Sequence, residues 1–230
     1  MISFTGPGEP VRITSDGSSF AGVLELPPSP WGMVLYAQGR GRRSVLRESG
    51  YLADQFRRAG LATLQFDFSN PDEDGRARHG FDLALLDARM GAASDWIAAQ
   101  PQTNKLALGL FGAGKEAAAA LRLAADRPDR VAAVVSRSGR PDLAGEDALA
   151  RVRAATLLIV DEEDRAAIER NRKALHRLNC EKDLALIPGA GYPSKRLGAA
   201  LEAARLAARW FKGYFGGDTR SAPPGAEPSA

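Results

Sequence analysis

Hydrophobic and polar positions along the chain alternate between short apolar runs and helical stripes. Residues 11–14 and 20–26 are strand-like runs, and Asp16-Gly17 between them is a hairpin turn signal. Pro27, Pro28 and Pro30 then break the chain. Met33-Val34-Leu35-Tyr36-Ala37 is continuously apolar, as expected of a strand buried on both faces. A Gly- and Arg-rich loop over 38–43 leads into a predicted helix over 44–58, with Gly60 as its C-terminal stop. The alternation then recurs. Strands are predicted over 61–68, 106–111, 131–135, 155–160 and 184–187. Helices are predicted over 81–100, 115–125, 164–178 and 194–215, and 70–80 is a polar loop. This order implies an α/β fold: a mainly parallel central sheet, helices on both faces and an N-terminal antiparallel hairpin. Residues 1–215 form a single expected domain. The Gly-, Pro-, Ser- and Ala-rich stretch 216–230 is expected to be a disordered tail.

Composition narrows the function classes. The chain has 230 residues, of which 44% are hydrophobic and 26% charged, as in an ordinary globular domain. A net charge of +3 is too weak to argue for a nucleic-acid partner. No run approaches the length of a membrane span, and the start lacks a secretory pattern. Cys180 is the one cysteine, so no internal disulfide forms and a cytoplasmic location is expected. His79 and His176 are the two histidines, and neither has a partner at metal-ligand spacing. No metal and no cofactor are expected.

Several segments carry a family resemblance. They include Val34-Leu35-Tyr36-Ala37 before the first glycine loop, Gly60-Leu61-Ala62-Thr63-Leu64 before Phe66-Asp67, and Asp95-Trp96-Ile97. The strongest are Arg127-Pro128-Asp129-Arg130-Val131 and Ser136-Arg137-Ser138-Gly139-Arg140-Pro141-Asp142-Leu143. In order and spacing the chain resembles the α/β-hydrolase superfamily, in its dienelactone-hydrolase-like branch, from about Val11 to Phe215. Similar domains also occur fused to phosphoribosyltransferases, and no such partner domain is expected within these residues.

The resemblance implies where catalytic groups belong. The nucleophile sits in G-x-S-x-G on a tight strand-to-helix turn. The matching segment is Gly112-Ala113-Gly114-Lys115-Glu116, with Gly114 at the nucleophile position and Glu116 in place of the second flanking glycine. The acid matches Asp164, after Leu157-Leu158-Ile159-Val160. The base position, after Pro188-Gly189-Ala190, matches Tyr192 in place of the expected histidine. Without hydroxyl, thiol or imidazole, attack and proton shuttling through a triad are missing. The loop Gln38-Gly39-Arg40-Gly41-Arg42-Arg43 and the backbone at Lys115 would form the oxyanion hole. Together with Arg137 they suggest a small anion-binding pocket lined by Gln38, Gly39, Arg40, Lys115 and Arg137.

Each feature has a plainer alternative. Gly109 to Lys115 satisfies G-x-x-x-x-G-K, but Glu116 follows where a magnesium-ligating hydroxyl is required. Gly39-x-Gly41 lacks the third glycine of a dinucleotide loop. Asp164 precedes a helix and is favoured as its N-cap. Tyr192 is a poor base, because an unperturbed phenol has a pKa of about 10. The arginine run can be a solvated loop, Cys180 an inert thiol, and Ser136 and Ser138 lie off the elbow. Three functions remain open: a non-catalytic protein binding a small anion, an ester or lactone hydrolase using Asp164, Glu116 or Ser136, and a scaffold that binds a protein partner or a second copy.

Overall fold

The computed structural model describes residues 8–15, 17–38, 43–67, 83–188 and 193–216. Gly39, Arg40, Arg42, His79, Tyr192, the polar loop and the tail beyond Gly216 lie outside the described residues, as does the side chain of Gln38.

Eight strands form one sheet: β1 (Glu9–Ser15), β2 (Ser18–Glu25), β3 (Met33–Gln38), β4 (Ala62–Asp67), β5 (Leu108–Ala113), β6 (Val131–Arg137), β7 (Ala155–Asp161) and β8 (Lys182–Ile187). Their spatial order is β1-β2-β4-β3-β5-β6-β7-β8. β1 pairs antiparallel with β2, and β2 with β4, while all later pairings are parallel. The hairpin closes with Ser15 opposite Ser18, and Gly17 takes φ +76° in the turn. That left-handed position favours glycine, as the Asp-Gly signal implied.

Among the described residues there are six α-helices, the last of them after β8: α1 (Arg43–Arg58), α2 (Leu83–Ala99), α3 (Glu116–Asp126), α4 (Glu146–Arg151), α5 (Arg165–Arg177) and α6 (Pro193–Phe215). Period-two alternation sends side chains to opposite faces. Met33 and Leu35 of β3, with Leu108 and Leu110 of β5, join the core that holds residues of α2 and α3. Val34, Tyr36 and Phe111 join the core that holds residues of α1 and α6. Both faces are therefore covered, which is why the parallel strands are continuously apolar. A Cβ on Gly109 would stand 2.6 Å from Phe211 and from Phe215, so this strand position keeps α6 close.

One region has elements that the sequence pattern does not predict. A 3₁₀ turn (Pro141–Ala144) and α4 lie between β6 and β7. Both are too short to show helical periodicity, although Glu146 and Asp147 in the first turn of α4 and Arg151 in its last match the helix dipole. β5 also starts at Leu108 and not at residue 106.

Candidate functional site

The sheet reverses its winding direction between β3 and β5, and open α/β sheets bind ligands at the carboxyl ends of the strands flanking such a point. At that end β5 runs into a sharp turn and then α3. A Cβ on Gly112 would lie 2.5 Å from the backbone N and Cα of Ala117, so only glycine lets strand and helix approach this closely. Gly114 follows at φ +60°. Its N–H donates to the Arg137 carbonyl (3.3 Å) and its carbonyl accepts from the Arg140 N–H (2.7 Å). The segment after β6 thus clamps the turn on both sides. Gly139 lies within that segment, and a side chain there would collide with Ser136 and Ala117. A sharp strand-to-helix turn thus lies where the sequence places one, between β5 and α3.

Lys115 is the N-cap residue of α3 and is exposed. Glu116 is the first residue of the helix, where a carboxylate is favoured by the helix dipole. Its side chain turns back over the elbow. A Cβ on Gly114 would lie 3.4 Å from Glu116 Oε2, so the carboxylate borders the space that a nucleophile side chain would occupy. Burial pushes the Glu116 carboxyl above the usual range, opposed by its own backbone N–H and by the Lys115 charge.

Asp164, expected from the resemblance as the acid, follows a strand two places away from β5. β7 lies beyond β6, roughly 10 Å from β5 at ordinary strand spacing. Asp164 N-caps α5, its Oδ1 accepting from the Ala167 N–H (2.8 Å). Replacing Asp164 with alanine is expected to cost about 1 kcal/mol through loss of this cap, measured by urea denaturation. Asp161, at the end of β7, accepts from the Glu163 N–H (2.9 Å).

Neither serine of β6 and its loop is placed as a nucleophile. Ser136 is fully buried, and its Oγ has no hydrogen-bond partner among the described residues. Removing an unsatisfied buried hydroxyl relieves a desolvation penalty, so Ser136→Ala is expected to stabilise the fold by about 0.5–1 kcal/mol in urea denaturation. Ser138 is exposed and held at φ +44°, with its N–H donating to the Ile159 carbonyl (2.8 Å). Cys180 is half-buried, its Sγ lies 3.7 Å from Thr156 Oγ1, and burial pushes the thiol up. A thiol so placed is a poor nucleophile. A hollow of about 360 Å³ lies elsewhere, along the far end of α3, lined by Arg122, Asp126 and Arg151 among others.

The crystal structure of dienelactone hydrolase from Anabaena variabilis superposes with a TM-score of 0.83 at 41% identity, over 90% of this chain and 97% of that one. This chain belongs to the dienelactone-hydrolase-like branch of the α/β hydrolases. The esterase domain of a Rhodothermus marinus protein has a TM-score of 0.70 at 18% identity, covering 90% of this chain and 99% of its own, and shares the fold. A Mycobacterium tuberculosis protein named "Putative phosphoribosyl transferase" is 40% identical over 203 residues, 88% of this chain. The chain spans about half the length of that relative, 46%. No family model matches the chain. Among the described residues no helix is long and apolar enough to cross a membrane.

The turn between β5 and α3 carries glycine at 114 and a carboxylate at 116. Lys115 stands beside the elbow, and Arg137 is half-buried at the end of β6, next to Ala113 in register. The turn of Glu116 back onto the elbow was missed in the sequence. The available signal was an acidic residue in the first turn of a helix that starts at the switch point.

Proposed function

We propose that this dienelactone-hydrolase-like protein does not cleave esters by the Ser-His-Asp route and that it binds a small ligand at the carboxyl ends of β3 and β5. The observation carrying this reading is Gly114: the residue at the apex of the elbow has no side chain to form an acyl-enzyme. Tyr192 at the base position supports it from the sequence. Lys115 and Arg137, with the amino end of α3, favour a ligand bearing a carboxylate or phosphate. The single cysteine supports a cytoplasmic location.

The test combines labelling with binding. Wild-type protein is expected to resist stoichiometric labelling by a serine-directed phosphonate. Titration with phosphate or a small carboxylate is expected to saturate, more weakly in Lys115→Ala and Arg137→Ala. Covalent labelling at the elbow would refute the loss of nucleophilic catalysis, and absence of saturable binding would remove the anionic ligand.

A second reading, an interaction module, has one observation in its favour. The curated relative is about twice as long, so its remaining half has room for a further domain. Size-exclusion chromatography with a phosphoribosyltransferase partner tests this, with co-elution as the required result.

A further inference from the structure

The elbow lacks a nucleophile side chain, yet it holds a carboxylate beside the place where one would be. Glu116 Oε2 lies 3.4 Å from the position of a Cβ at residue 114. Among the described residues, and apart from the chain neighbours of Gly114, Glu116 Oε2 is the one atom within 4 Å of that position. We propose that Glu116 is the general base of this site: it takes a proton from a water seated beside Gly114, and that water hydrolyses an activated ester, lactone or anhydride directly. The inference rests on the reading that no side chain attacks here.

The step balances without a further reactant. The water O–H bond breaks as its proton passes to Glu116 Oε2, and the water oxygen forms a bond to the acyl carbon. The carbonyl π electrons move onto oxygen and return as the acyl–oxygen bond breaks. The leaving oxygen takes the proton back from Glu116. One carboxylate thus serves in turn as base and acid, and the water supplies the oxygen that a serine supplies elsewhere. The elevated affinity of the buried carboxyl for its proton, caused first by burial, suits it to the first half of this exchange. The substrate class follows from the chemistry: with no covalent intermediate and a carboxylate as the base, the acyl group must carry a good leaving group.

The plainer role of Glu116 is to stabilise the start of α3 by its charge. Hydrolysis of p-nitrophenyl acetate by the full chain separates the two roles. Wild type is expected to turn over linearly above the buffer rate, with no burst equal to the enzyme concentration. Glu116→Gln keeps the side-chain shape and is expected to lose roughly 100-fold or more in kcat/KM, with its circular dichroism unchanged. Gly114→Ala places a methyl group in the water's position and is expected to lose at least about tenfold. Glu169→Gln, an exposed change on α5, controls for the removal of charge. A wild-type rate equal to buffer, or a Glu116→Gln rate equal to wild type, overturns the proposal. A stoichiometric burst instead overturns the reading beneath it, because it reports an acyl-enzyme.

Discussion

Gly112→Ala is expected to destabilise the protein by about 2–3 kcal/mol, at the upper end of the cost of overpacking a well-packed core. The added Cβ would stand 2.5 Å from the backbone N and Cα of Ala117 and 2.6 Å from the carbonyl carbon of Glu116. These are main-chain atoms in the first turn of a helix, so no rotamer change relieves the collision. α3 must move away from β5. Five consecutive residues, Ala117 through Leu121, are buried, so this part of the helix is covered on every side and displacement costs contacts all round it. Urea denaturation measures the change, and a domain of this size is expected to lose about 2–4 °C of Tm per kcal/mol. An alanine variant as stable as wild type would mean that the strand and helix are not as close as described.

Phe56→Ala is expected to cost more, about 3–5 kcal/mol. Phe56 of α1 is fully buried. Its ring meets Tyr36 of β3 at 6.2 Å, Phe111 of β5 at 6.0 Å and Phe211 of α6 at 5.7 Å, all edge-on. Such geometry sets the positive ring edge against the negative face and adds to the burial energy. One ring therefore joins two helices to the two strands that flank the switch point. Its neighbours are held by the sheet and by α6, so the cavity collapses little and the penalty stays high. A midpoint shift in guanidinium chloride with unchanged slope is the expected signature. A loss below about 1 kcal/mol would show that α1 repacks freely.

Much of this fold is legible in the sequence because buried parallel strands leave unbroken apolar runs. Met33 to Ala37 and Ala155 to Val160 are two such runs, and both lie in central strands. Caps were legible for the same local reason: Gly60 at φ +73° ends α1, and Asp164 begins α5. The region between β6 and β7 was not, because four residues of 3₁₀ turn and six of helix complete too few turns to form a stripe. At the site, the elbow was legible from its glycines and from its place between strand and helix. The direction of the Glu116 side chain was not, because it depends on the space left at Gly114 and on the burial around it. The left-handed backbone of Ser138 was equally hidden: its N–H is bonded to Ile159, a residue of the neighbouring strand and distant in sequence.

The clamped turn at Gly114 has a consequence for how this lineage can change. Any L-residue at φ +60° carries a conformational penalty of about 1–2 kcal/mol, and a catalytic elbow bears it as the cost of presenting its nucleophile. Glycine adopts the same backbone freely. Exchanging a nucleophile for glycine here therefore gives up one chemistry and gains stability in the same event. The reverse exchange restores the penalty. The two directions are unequal, so the trade of activity for stability at this position is far easier to make than to undo.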